Sequence, residues 1–421
     1  MYTVSSCAKS VFLTLGMTMF ALVANADAGH AAVAVSAVLG GSSALLGDYN
    51  NTTTYRPGAI PLLLDNQNIT ISGFRTTTGT PDYVLITQVT LSTGASVPAM
   101  VRYTKNGTDQ KVIVILRSDS GVGVQYVTNG VKINGFPTLA SGSWRVVESG
   151  GTTTDQTVIN ALSALTNVAI NTGISDVSAD SVKKYSGLTI NQTSTVTGQD
   201  LAVITLLQLY NTSVSTAQYN FTQAKVNELL VDGAGFNTTD TFLAAFRREN
   251  SSGTRITEFL AAVTPDLETV PAFSGTGALL GAVNTTSGAF GYAFITGAAS
   301  GSSSSTNQFA NIRVGKYNGV APYTGTSLPY NNGQAGYSTA NYYGATANGT
   351  YTKWTYAKAY TIGTNATVNS IVNVIQNPFG ADAVHSVGLT SLTEMSVVRS
   401  SFQSFDPIAQ GEDVTDGQPI F

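Results

Sequence analysis

Charge, histidine and cysteine are all scarce in this 421-residue chain: Asp, Glu, Lys and Arg make up 10% of it, and it has 2 histidines and 1 cysteine. A lone cysteine, Cys7, allows neither an internal disulfide nor a thiolate metal site. His30 and His385 alone give no histidine metal cluster and no evident nucleophile–base pair, so the pattern is not that of an enzyme and implies no cofactor. A net charge of -4, a pI near 5.2 and the lack of a basic stripe argue against nucleic acid as a partner.

The apolar stretch near the N-terminus is shorter than a bilayer requires. Val11 to Val23 is a run of 13 residues that follows Lys9 and precedes two small-x-small sites, Ala24-Asn25-Ala26 and Ala26-Asp27-Ala28. Residues 1–28 are therefore expected to be a cleavable secretory signal, which makes the protein periplasmic or extracellular. Roughly 390 residues then remain, enough for a large core and two lobes.

What the chain does have is short apolar runs alternating with Gly-, Ser- and Thr-rich loops, the pattern of an α/β fold. Ala31 to Leu39 is strand-like, and Gly40-Gly41-Ser42-Ser43 before Ala44-Leu45-Leu46 reads as a turn opening a helix. Residues 50 to about 140 are β-rich and read as an insertion, with strands near 83–91, 97–104 and 111–116. The clearest α/β unit runs from Trp144 to Asp176: a strand to Glu148, a loop from Ser149 to Thr154, a helix over 155–165 and a buried strand over 168–170. Polar loops at such strand ends are where open α/β sheets bind ligands, which marks Ser149, Thr152, Ser175 and Asp176. Beyond it, 199–209 reads as a strand, 217–230 and 239–246 as helices, 287–295 as a turn and strand, and 320–350 as surface loop.

One stretch stands out. Arg247-Arg248-Glu249-Asn250-Ser251-Ser252-Gly253-Thr254 precedes Ile256, Phe259, Leu260 and Val263 at helical spacing. Ser252 or Thr254 can cap the helix, Gly253 lets backbone approach a ligand, and Arg248 supplies a planar fork of donors, which together are the parts of an anion site. Glu249 and Asn250 offset or tune that charge. Ser274-Gly275-Thr276 repeats part of the motif.

Taken in order, Ser149-Gly-Gly-Thr, Ile174-Ser-Asp176, Arg247 to Thr254 and Ser287-Gly-Ala-Phe-Gly-Tyr292 resemble the phosphate-binding components of ABC transporters and the related DING-type proteins. The ending from Gly388 to Arg399 is similar too, with Thr393 where the family has proline. The resemblance covers roughly residues 140 to 400 and implies a two-lobe type 2 periplasmic binding fold. Lobe 1 would be 29–200 plus 356–421, carrying the β-rich insertion, and lobe 2 would be 201–355. It implies a ligand set of Arg248, Ser252, Gly253, Thr254 and Asp176, with a second loop at Ser149 and Thr152 or, as a rival, Ser118-Asp119-Ser120-Gly121. The first loop is Ser42/Ser43 or, as a rival, Ser96. An acidic residue expected two positions after the arginine is Asn250, a departure that leaves phosphate, another oxyanion or no ligand open. The implied role is capture of phosphate for an ABC permease. The alternative is a structural or self-assembling surface protein that reuses the fold, with contacts made by the β-rich insertion.

Overall fold

The structure is a computed structural model describing residues 33–50, 55–66, 68–76, 83–106, 109–138, 143–148, 155–191, 196–215, 217–234, 241–262, 264, 268–301, 309–328, 340–398 and 408–409; the signal-like segment 1–28 lies outside them. The fold is mixed α/β, built on one 13-stranded sheet. Its strands are β1 (Val33–Gly41), β2 (Tyr83–Leu91), β3 (Ser96–Asn106), β4 (Asp109–Arg117), β5 (Lys132–Gly135), β6 (Arg145–Glu148), β7 (Val168–Ala169), β8 (Thr172–Ser175), β9 (Thr197–Asn211), β10 (Ala244–Ala245), β11 (Ala289–Phe294), β12 (Ile312–Val314) and β13 (Trp354–Thr361). The order across the sheet is β10-β11-β9-β13-β8-β1-β4-β3-β2-β5-β7, with β12 on β9 and β6 on β2.

The centre of the sheet is parallel, because β1 runs alongside both β8 and β4 in the same direction. β4 carries Val112-Ile113-Val114-Ile115-Leu116, all buried. Ile113 and Ile115 enter one apolar cluster and Val112, Val114 and Leu116 another, as alternate residues of a strand covered on both faces must. The β-rich stretch read as an insertion is thus only partly an addition. β2 and β3 extend the sheet outward, but β4 is the direct neighbour of β1 and feeds the loop at 118–120.

Two long antiparallel strands continue the sheet beyond β8. β9 pairs with β13 over Thr197–Thr205 and with β11 over Leu206–Tyr210. The boundaries expected at 200/201 and 355/356 both fall inside this strand pair. The segment between β9 and β13 supplies β10, β11 and β12.

Several local expectations are corrected. The described part of 239–246 is not helical: Ala244–Ala245 pairs parallel with β11 and Arg247–Arg248 pairs with Ala272–Phe273. Ala245 is buried in that pairing and Phe242 packs against Tyr219, Phe221 and Phe290, tertiary contacts that override local helix preference. The helix expected from 217 starts at Gln223, capped by the Thr222 side chain, after a short strand at Asn220–Phe221. A helix, Ala340–Ala347, lies in the stretch read as loop. Among the described residues no helix is long and apolar enough to cross a membrane.

Candidate functional site

The C-terminal ends of the three central parallel strands converge, as the topology of an open α/β sheet dictates. β1 ends in Gly41-Ser42 and runs into a single helical turn, α1 (Ser43–Leu46). Only glycine fits at 41: its φ is 134°, and a Cβ there would lie 2.0 Å from the Ile174 carbonyl oxygen. This close approach puts Ser42 beside the end of β8, where its amide donates to the Ile174 carbonyl at 2.9 Å. β4 ends in Ser118-Asp119 and leads into α2 (Ser120–Thr128). α2 sits equally close to the sheet, since a Cβ on Gly123 would meet the Gly40 carbonyl at 2.6 Å.

Asp176 follows β8 and links these loops. It is buried, and its two carboxylate oxygens accept from the Ser42 hydroxyl and the Ser120 hydroxyl, each at 2.5 Å. Burial pushes its pKa up, opposed by the bonds from Ser120 and Ser42 and by the Arg248 charge. The hydroxyl protons of both serines point at Asp176, so their lone pairs are what remains for anything else.

The opposing wall comes from the segment between β9 and β13. Helix α4 (Gly253–Ala262) opens at the cavity, and the amides of Gly253 and Thr254, in its first turn, have no intrahelical carbonyl to reach. Gly253 has to be glycine because a Cβ would lie 2.7 Å from the Ser120 hydroxyl. Arg248 is buried. Its Nε and Nη2 donate to Glu249 at 3.2 and 2.5 Å, and its Nη1 donates to the hydroxyl of Thr276 at 2.5 Å. Thr276 begins α5 (Thr276–Thr285), and Glu249 also accepts from the Gly275 amide at 3.0 Å. A guanidinium has five N–H groups, so one on each terminal nitrogen of Arg248 remains after these three bonds.

The resulting cavity encloses about 350 Å³, open solvent at its mouth included, and is lined by Ser42, Ser43, Ser118, Asp119, Ser120, Asp176, Arg248, Ser252, Gly253, Thr254, Thr276 and Thr296 among others. Of the expected residues, Arg248, Ser252, Gly253, Thr254, Asp176 and Ser43 are brought together here. Ser149 and Thr152 lie outside the described residues. The strand before them, β6, pairs with β2 toward the edge of the sheet, while the rival loop at 118–121 lines the cavity. Ser96 lies in the β2–β3 hairpin, exposed and donating to Gln88. Asn250 is not in the lining; it accepts from Arg247 at 2.8 Å. The acidic partner of Arg248 is Glu249, one position earlier than the resemblance leads one to expect.

Thr276 is not among the expected ligand residues, though the repeated Ser-Gly-Thr marks it in the sequence. Asp119 enters only as a member of the rival loop Ser118-Asp119-Ser120-Gly121.

No protein-family model and no curated protein matches the chain. Among solved structures it is similar to a protein assigned as a phosphate ABC transporter substrate-binding protein with bound phosphate from Clostridium perfringens, at 12% identity and TM-score 0.40, over 67% of this chain and 88% of that one. It is also similar to PstS from Borrelia burgdorferi, at 11% identity and TM-score 0.35, over 67% and 87% of the two chains. An ABC-type phosphate transport receptor from Vibrio cholerae matches at 14% identity and TM-score 0.35, over 47% of this chain and 73% of that one. All three likenesses are remote.

Proposed function

We propose that the protein is an exported solute-binding protein, not an enzyme, and that it holds phosphate or a similar oxyanion in this cavity for delivery to an ABC permease. The observation that supports this is the convergence of a buried guanidinium with two uncommitted N–H groups, the open first turn of α4 and the hydroxyls of Ser43, Ser252 and Thr254. Such donors, arriving from opposite walls, suit a small tetrahedral anion better than any flat or elongated ligand. Among the described residues no histidine lines the cavity.

The test is calorimetric titration of phosphate-stripped protein with phosphate, with sulfate as competitor, at about pH 5.5 and about pH 8. Micromolar or tighter phosphate binding, abolished by Arg248→Ala with the melting transition retained, is the expected result. If neither anion gives heat or thermal stabilisation at either pH, the oxyanion reading fails. Self-assembly through the β2–β3 stretch then becomes the function to pursue.

A further inference from the structure

The stretch Ser287-Gly-Ala-Phe-Gly-Tyr292 contributes no residue to the cavity lining, yet it lays down the chain that brings Arg248 there. β10 runs parallel to β11, with Ala244 beside Ala289 and Ala245 beside Phe290. The Ala244 amide donates to the Gly288 carbonyl at 3.3 Å, and the Phe246 amide to the Phe290 carbonyl at 3.0 Å. Bonds in a parallel ladder are evenly spaced, so the next rung, two residues on along both chains, should join the Arg248 amide to the Tyr292 carbonyl. That rung is made by the side chain instead: the Arg248 amide donates to the Tyr292 hydroxyl at 3.2 Å. The amides on either side of it, Arg247 and Glu249, face the other way and donate to the Pro271 and Phe273 carbonyls at 3.0 and 3.1 Å. Paired strands lie about 4.8 Å apart, and a phenol interposed between the two main chains holds them further apart than that. Tyr292 is fully buried beside Phe290, and burial pushes the pKa of its hydroxyl up, so the group stays neutral.

We propose that Tyr292 is the positioning residue for Arg248: its hydroxyl replaces one rung of the β10–β11 ladder and holds the Arg248 main chain off the sheet, so that the guanidinium enters the cavity. Glu249 and Thr276 then set the plane of the fork, but the tyrosine sets where it starts. A rigid ring with an acceptor at its tip suits this task. Phenylalanine at 292 keeps the ring and its packing but leaves the buried Arg248 N–H without an acceptor, and the chain has to shift to find one. The effect on binding rests on the oxyanion reading above; the bond itself does not.

The experiment follows Tyr292→Phe by amide hydrogen exchange in NMR spectra and by calorimetric titration with inorganic phosphate. Exchange at Arg248 is expected to be slow in the wild type and at least about tenfold faster in the variant, while Arg247 and Glu249 keep their rates. Phosphate affinity is expected to fall about fivefold to fiftyfold with the melting transition retained. In an Arg248→Lys background, where no planar fork has to be aimed, the same substitution should change affinity less than about twofold. A merely structural tyrosine predicts equal losses in both backgrounds, and that result overturns the inference, as does unchanged affinity in Tyr292→Phe. An Arg248 amide that exchanges freely in the wild type overturns it too, even if the variant fails to fold. Wild-type protein that binds no phosphate, yet loses protection at Arg248 in Tyr292→Phe, removes the oxyanion reading while the tyrosine still places the arginine.

Discussion

Three of the five donors on Arg248 are engaged by Glu249 and Thr276 before any ligand arrives. Those bonds fix the plane of the guanidinium, so the two donors left over are aimed rather than mobile, and a ligand does not have to order the side chain. Glu249 aims the fork but also cancels its charge. Glu249→Gln keeps an acceptor for the fork and removes the charge, and phosphate is expected to bind about threefold to thirtyfold more tightly, measured by calorimetry at constant pH. A loss of affinity would instead show that the carboxylate is needed for positioning. The resemblance led one to expect the acid at 250, where asparagine stands, and that departure left phosphate, another oxyanion or no ligand open. The chain turns back after Arg248, with the Ser252 amide donating to the Glu249 carbonyl at 3.1 Å, and this brings the adjacent residue alongside the arginine. A turn of that kind leaves no mark in a list of residue spacings.

Helix α2 owes its position to glycines on both sides of one contact. Gly123 on the helix rests against the Gly40 carbonyl, and a Cβ on Gly173 of β8 would lie 2.4 Å from the Gly123 carbonyl. This closeness sets the height of Ser120 over Asp176. Gly123→Ala should cost about 1–3 kcal/mol in denaturant unfolding and weaken phosphate binding by lifting α2 and its Ser120 hydroxyl. A stability loss with unchanged affinity would show that α2 can rise without moving the serine. The strands of the central sheet were legible because β4 and β9 bear apolar runs that only a doubly covered strand buries. The Arg248 loop was legible because a capping serine, a glycine and helical periodicity fall together there. The stretch at 239–246 was not, because the partner that makes Ala244–Ala245 a strand is Ala289–Phe290, far along the chain. The choice between the two candidate second loops was not legible either: Ser149 and Ser118 both follow strand-like runs, and only sheet order shows that the run before Ser118 is the central strand.

Beside the long strand pair β9–β13, a charged group is sealed in. Lys353, just before β13, contacts Glu258 of α4, which also accepts from Gln208 of β9 at 2.9 Å, and all three are buried. Burial lowers the pKa of Lys353, against the raising effect of Glu258. Lys353→Met alone should cost about 3–5 kcal/mol by stranding the carboxylate, whereas Lys353→Met with Glu258→Leu should recover most of it, as chemical denaturation can show. Failure of the double variant to recover stability would mean that the pair is held by more than its mutual neutralisation. Around the cavity its opposing walls are joined by an apolar layer. Val124 of α2 and Val182 of α3 (Ala179–Tyr185) share a buried cluster with Ile256 and Phe259 of α4, and Arg255 of α4 donates to the Tyr185 carbonyl at 2.8 Å. Parting α4 from α2 and α3 to admit or release a ligand would bring these side chains into water, at about 25 cal/mol for each Å² of apolar surface exposed. That penalty would fall on every opening, loaded or empty, so on the proposed function the dwell time of a captured ion would be governed by the oil between the helices as much as by the donors around it.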